Sequence, residues 1–143
     1  MFDLDDCVAY IINKSAKQLS TCLEKRLTSY NVTRIQWIAM YYIEQNSDIT
    51  QKGLADKMYL KEPTVARLLD RMESEGLLVR EFCKQDKRAK CISLTEKGQY
   101  LNEKLTDISE TFKNDAILGI EKKDLLTFKK VVEQMLANTK ANT

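Results

Sequence analysis

The chain has no histidine, a single proline and only four glycines in 143 residues. Without histidine it lacks the commonest general base and the commonest metal-ligating nitrogen. So little proline and glycine leaves scant material for turns, which predicts few, long and mainly helical elements. No run approaches the ~18 apolar residues that a membrane span requires. The first residues carry Asp3, Asp5 and Asp6 where a secretory leader would carry Lys or Arg. Together these absences predict a cytoplasmic protein whose Cys7, Cys22, Cys83 and Cys91 stay as thiols. The cysteine spacings fit no zinc pattern, and a structural zinc would need all four thiolates from distant segments. No metal or cofactor is therefore expected. A catalytic role is not expected either, because no nucleophile motif, glycine-rich phosphate loop or pair of framed carboxylates is present.

A chain of this length, 43% apolar and 31% charged, can bury a core without staples. Its net charge of +2 is too small to announce a polyanionic partner. The distribution says more. Arg80, Lys84, Lys87, Arg88 and Lys90 stand against only Glu81 and Asp86 within eleven residues. A patch of that kind suits phosphate contact, although a solvated mixed-charge surface has the same composition.

Apolar residues from Leu4 to Leu27 recur at three-four spacing and predict one amphipathic helix. Thr33 with Gln36 three residues on forms a capping box for a second helix, with Ile35, Ile38, Ala39, Tyr42 and Ile43 as its apolar stripe. Thr50 caps a short third helix, Gln51 to Met58. Leu60, Lys61 and Glu62 make the turn, and Pro63 opens a fourth helix that runs to about Glu75 and closes at Gly76. Two short helices joined this tightly make a helix-turn-helix. The period then changes from 3.6 to 2: residues 78–83 and 90–94 alternate around the polar Lys84-Gln85-Asp86-Lys87-Arg88, which predicts a β-hairpin with a basic tip. Thr95 caps a fifth helix, and beyond Gly119 a last helix carries Leu125, Leu126, Phe128, Val131, Val132, Met135 and Leu136. The fold class is thus mainly α with a small hairpin wing.

Several of these stretches resemble one family. Asp86-Lys87-Arg88, the alternating strand after it, and Leu94-Thr95-Glu96-Lys97-Gly98 resemble the wing signature (D-x-R, then L-T-x-x-G) of the multiple-antibiotic-resistance regulator (MarR) family. Pro63 to Met72 followed by Glu75-Gly76-Leu77-Leu78 is similar to its recognition helix, and Asn31-Val32-Thr33 with Gln36-Trp37 to the start of its second helix. The resemblance implies a homodimeric DNA-binding transcription regulator, a repressor, in which the first, fifth and sixth helices interlock with a second copy. Residues 1–30 and 99–143 are then dimerisation helices and residues 31–98 the DNA-binding region, all in one compact domain.

A recognition helix lodges in the major groove, where base edges carry distinguishable donors and acceptors. That places Thr64 and Arg67, one turn apart, at the bases, with Lys61 leading them in. Thr64 has helix capping as its plainer role. Gln51 and Lys52 begin the third helix, where side chains and free N–H groups meet phosphates. Arg88 at the wing tip suits a minor groove, with Asp86 fixing its guanidinium. An exposed ion pair of little energetic worth is the plainer account of those two. Lys84, Lys87 and Lys90 add unspecific attraction to phosphate.

By resemblance, a small aromatic or amphipathic effector binds near the first, second and fifth helices, where Tyr10, Lys14, Tyr30, Trp37 and Tyr41 are candidates; for any one of them taken singly, ordinary core or interface packing is the favoured account. A thiol-sensing regulator is the competing idea. The family's peroxide-sensing branch carries a reactive cysteine in the first helix, but here that position holds Ala9, and the tyrosines that assist it fall on Leu23 and Arg34. Cys7 lies two residues away, about 200° around a helix. Cys83 and Cys91 flank the wing tip symmetrically, so oxidation across the hairpin stays open as a minor alternative. A winged-helix protein–protein adaptor that never meets DNA is the remaining alternative.

Overall fold

A computed structural model describes residues 1–141 of the chain. In order it contains a 3-10 turn (Leu4–Asp6), α1 (Val8–Leu27), a second 3-10 turn (Thr28–Tyr30), α2 (Arg34–Gln45), α3 (Gln51–Met58), α4 (Glu62–Ser74), β1 (Leu78–Phe82), β2 (Lys90–Leu94), α5 (Glu96–Ala116) and α6 (Lys122–Ala141). The backbone divides into two compact units, Met1–Glu110 and Thr111 onward.

The helix starts are set by side-chain caps. Thr33 accepts from the Gln36 N–H while the Gln36 carboxamide oxygen accepts from the Thr33 N–H, the reciprocal box expected. The Glu24 carboxylate of α1 adds a second acceptor by taking the Arg34 N–H, which joins α1 to the start of α2. Thr50 caps α3 by accepting from the Gly53 N–H. Gly76 closes α4 at φ 76°, a left-handed position that a side chain resists.

Two boundaries differ from the expectation. The first helix is not continuous from Leu4: Asp3 accepts from the Asp5 N–H and turns residues 4–6 into a separate 3-10 turn, so α1 starts at Val8. The turn before α4 also ends one residue earlier. Tyr59, held at φ 54° and donating its N–H back to α3, with Leu60 and Lys61, makes the connection, and Glu62 is already helical. The inner face of α2 is rotated from the one predicted. Gln36, Ala39, Met40 and Ile43 are buried, whereas Ile35 is 40% exposed. Gln36 tolerates burial because both ends of its amide are used: the oxygen in the capping box, the nitrogen on the Glu75 carboxylate at 3.3 Å.

The core of the first unit takes Leu27 from α1, Met40 from α2, Leu54 from α3, Val65, Leu69 and Met72 from α4, Leu78 from β1 and Leu105 from α5, all fully buried. Each such side chain contributes roughly 1.5–3 kcal/mol of transfer free energy. In the second unit, α6 buries none of its residues and exposes Leu126, Phe128, Val131 and Leu136. Val8, Ile11 and Leu19 of α1 are exposed as well.

β1 and β2 pair antiparallel with Leu78 opposite Leu94 and Phe82 opposite Lys90. The hairpin is secured at its base by Thr95, which makes three hydrogen bonds. Thr95 N–H donates to the Leu77 carbonyl at 3.1 Å, its hydroxyl donates to the Gly76 carbonyl at 2.6 Å, and the same hydroxyl caps α5 by accepting from the Gly98 N–H. Gly98 is required there because an added Cβ would run into the Leu77 carbonyl oxygen. Replacing it, Gly98→Ala, is therefore expected to cost about 1–3 kcal/mol, the range for forcing atoms into a packed site. Urea denaturation of the purified variant reads this as a lowered midpoint at unchanged slope.

Candidate nucleic-acid interface

The wing continues past the last strand pair as a basic loop. Residues 84–88 are all exposed and carry Lys84, Lys87 and Arg88, with Lys90 exposed where β2 begins. Two backbone bonds shape it, Cys83 N–H to the Ala89 carbonyl at 2.9 Å and Ala89 N–H to the Asp86 carbonyl at 3.2 Å. Arg88 is held from two sides by one oxygen: Asp86 Oδ1 accepts from both its backbone N–H (3.0 Å) and its Nε (3.1 Å). Arg88 hydrogen bonding holds the Asp86 carboxyl below its ordinary pKa. The Arg88 side chain nonetheless remains 92% exposed. Its guanidinium is oriented at the root while its remaining N–H donors face outward. Lys90 lies over the Phe82 ring at 5.6 Å, a cation–π contact that keeps its charge beside the loop.

The helix-turn-helix presents a second face. Lys52 on α3, and Lys61, Thr64 and Arg67 at the start of α4, are exposed, and Gln51 is half-buried beside the Thr50 cap. Lys61 is the N-cap residue of α4, so Thr64, three residues in, is not the cap and its hydroxyl is not committed to that task. Arg67 follows one turn later on the same side. Arg71, a further turn along, pairs with Glu75 at 3.0 Å.

Arg80 departs from the expected basic patch. It sits on β1 with its side chain 20% exposed and donates to Asp70 at 2.7 Å and Glu73 at 2.9 Å. It neutralises the far end of α4 and takes no part in the basic tip. Its alternation with Leu78 and Phe82 located it on the strand, but the acids opposite come from another element and no local pattern announces them. Tyr59 is the residue that periodicity passes over: in the turn between α3 and α4 it is 96% exposed, beside Lys61. Its only advance signal is a tyrosine in a turn.

The structure also corrects the expectation that all four cysteines are thiols. Cys7 and Cys22 are free, but Cys83 and Cys91 form a disulfide across the neck of the wing loop. The antiparallel register brings their Cα atoms to 5.1 Å, within bonding geometry.

Of the five residues considered for an effector, Tyr30 lines a cleft of about 650 Å³ together with Asn31, Arg71, Leu77, Lys97 and Tyr100. The other four do not line it. Trp37 donates its indole N–H to Thr106 of α5 at 3.1 Å and packs against Tyr41, ring centres 6.2 Å apart. Tyr10 and Lys14 are exposed on α1.

The Arg80 cluster gives a pH-dependent stability. The Arg80 hydrogen bond lowers the Glu73 pKa below its ordinary 4.5, against a smaller opposing effect of burial. A carboxylate with a depressed folded pKa stabilises the protein above its unfolded pKa and stops doing so as pH falls through the folded value. Arg80→Gln is accordingly expected to be less stable than the parent at pH 7, and the gap to narrow progressively below pH 4.5. Urea denaturation at a series of pH values measures that gap.

Comparison with known proteins agrees with this architecture. The model of the MarR family matches residues 30–89. The organic hydroperoxide resistance transcriptional regulator of Bacillus subtilis (strain 168) is 31% identical over 119 residues, covering 83% of this chain and 78% of its own. Among solved structures, MepR of S. aureus in complex with DNA superposes with a TM-score of 0.87 at 23% identity, over 94% of this chain and 98% of that one. CouR from Rhodococcus jostii bound to p-coumaroyl-CoA superposes with a TM-score of 0.85 at 19% identity, over 94% and 95%. The two structures share the fold, and the Bacillus relative carries the kinship: this chain belongs to the MarR family of winged helix-turn-helix, DNA-binding transcription regulators.

Proposed function

We propose that the chain acts as a homodimeric repressor on a pseudo-palindromic operator, reading it with α4 in the major groove and the wing in the flanking minor groove. The observation that carries this reading is Arg88, rooted on Asp86 and otherwise open to solvent at the tip of a basic loop. An arginine held this way suits a narrow groove, where negative potential is enhanced. Thr64 and Arg67 meet base edges, while Gln51, Lys52, Lys61, Lys84, Lys87 and Lys90 serve the phosphate backbone. MepR, which shares the fold, was solved with DNA bound, and that supports the assignment.

Residues 1–30 and 99–143 serve dimerisation. Exposed Leu126, Phe128, Val131 and Leu136 on α6, and Val8, Ile11 and Leu19 on α1, leave more apolar surface than a lone winged domain uses. A two-fold dimer covers such faces with their own copies. A small aromatic or amphipathic effector then acts by favouring one spacing of the two recognition helices. The cleft beside Tyr30 and Tyr100 has the size of a small-molecule site, and CouR, with the same fold, holds p-coumaroyl-CoA.

Selection from a random duplex pool tests the reading. A two-fold symmetric site with half-sites about one helical turn apart is expected. A monomer in sedimentation, or no enrichment even in dilute buffer, would overturn it and favour the adaptor. On the selected duplex, Arg88→Ala is expected to weaken binding at least tenfold with the dimer intact. Lys87→Ala should instead lower affinity evenly across sequences and reduce the log–log salt slope by about one. Arg67→Ala should lose about 1–3 kcal/mol and relax preference at one base pair; titration against single-substituted duplexes reads that directly.

A further inference from the structure

We propose that Cys83 and Cys91 form a reversible redox clasp on the wing: closed as a disulfide it holds the basic tip ready for DNA, and a small thiol opens it. The proposal rests on the reading that the wing meets the duplex.

Position is the first argument. Strand pairing ends at Phe82 opposite Lys90, and the disulfide sits at that limit, closing a loop that contains Lys84, Asp86, Lys87 and Arg88. Inside the loop the backbone is secured by the bonds from Cys83 to Ala89 and from Ala89 to Asp86, and by the Arg88 N–H on the Asp86 carboxylate. A cross-link at the neck restricts the loop's open conformations, so it favours the arrangement in which those bonds and the Asp86–Arg88 contact persist.

The second argument is that opening is a local event. β2 is tied to the segment before α3 independently of the sulfurs, through Ile92 N–H to the Ile49 carbonyl at 2.9 Å and a bridge between Thr50 and Cys91. Breaking the disulfide releases the β1 side of the tip while β2, α3 and α4 stay anchored. The Cys91 sulfur also lies 3.3 Å from the Asp48 carbonyl oxygen. Only the thiol has a proton to donate there, so the open state gains a contact that the disulfide cannot make.

Access is the third. A cleft of about 130 Å³ is lined by both cysteines with Asp48, Glu81, Phe82 and Lys84. Cys91 is half-buried and Cys83 is 7% exposed, so Cys91 is the sulfur open to attack. A reductant thiolate bonds to Cys91 Sγ, the Sγ–Sγ bond breaks, and its electron pair leaves on Cys83 as thiolate. A second reductant thiolate attacks its partner in the mixed disulfide and releases Cys91. The protein gains two electrons and two protons, and two monothiols become one disulfide. A hydroperoxide reverses the change, taking two electrons from the dithiol and leaving as alcohol and water.

The test compares full-length protein oxidised with glutathione disulfide and reduced with dithiothreitol, the states being verified by intact mass. Hydrogen exchange is read first, without DNA. The amides of Cys83 and Ala89 should exchange faster after reduction, while that of Ile92 is unchanged. Fluorescence anisotropy then uses a duplex enriched by the oxidised protein from a random pool. The oxidised form is expected to bind about three- to tenfold more tightly, the gain typical of ordering one long interface side chain beforehand. A Cys83→Ser, Cys91→Ser double variant should bind like the reduced form under both conditions. Equal exchange in the two states, or equal affinity with the disulfide verified, would overturn the clasp. Failure to enrich any duplex would instead overturn the DNA reading, with the exchange result standing apart from it.

Discussion

The wing can work only if it is carried rigidly beside the recognition helix, and one backbone connection secures this. The Ile92 N–H bonds to the Ile49 carbonyl, and Cys91 bridges Thr50, so β2 is stitched to the residues that cap α3. Strand and helix cap thus share a short stretch of main chain. A second attachment, through Thr95, Gly76 and Leu77, fixes the other end of β2 to the close of α4. The hairpin is therefore tied to both helices of the helix-turn-helix. Because those attachments are made by main chain and one hydroxyl, side chains at the tip are free to vary without moving the wing.

The close of α4 is itself a junction of polar groups. The Glu75 carboxylate meets Arg71 through one oxygen and the buried Gln36 amide through the other, and the Glu75 carbonyl accepts from Lys97 of α5. Gln36 in turn caps α2. The starts of α2 and α5 are thus joined to the end of the recognition helix by hydrogen bonds, while Leu69 and Met72 bury its inner face. The cleft beside Tyr30 is lined by Arg71, Glu75 and Lys97 of this same junction. A molecule lodged there would bear on the groups that set the helix's position.

Much of this was legible in the residues because the strongest signals are local. Thr33 with Gln36, Thr50 and Thr95 each mark a helix start within four residues, Pro63 and Gly76 bracket α4, and the change of period at Leu78 reveals the hairpin. The misreadings were of contacts made between elements. Arg80 counts as basic along the chain but is neutralised by Asp70 and Glu73 across a helix–strand contact. Gln36 is polar yet buried, because its partners lie three and thirty-nine residues away. The bridge between Thr50 and Cys91 is a single residue pair and leaves no alternation to detect. At Asp3 the opposite happened: a short-range cap overrode a longer apolar rhythm and split off the first turn.

The charge along α4 has a consequence for how the protein approaches a polyanion. Its leading half offers Lys61 and Arg67 against Glu62, whereas its trailing half holds Asp70, Glu73 and Glu75 with Arg71 and Arg80 already engaged. The helix therefore carries a lengthwise electrical polarity. A polyanion thus meets Lys61 and Arg67 at the leading half, and at the trailing half acids already matched by Arg71 and Arg80. On the proposed docking, α4 would therefore engage a duplex through its first two turns, and the paired trailing turn would add little to the attraction.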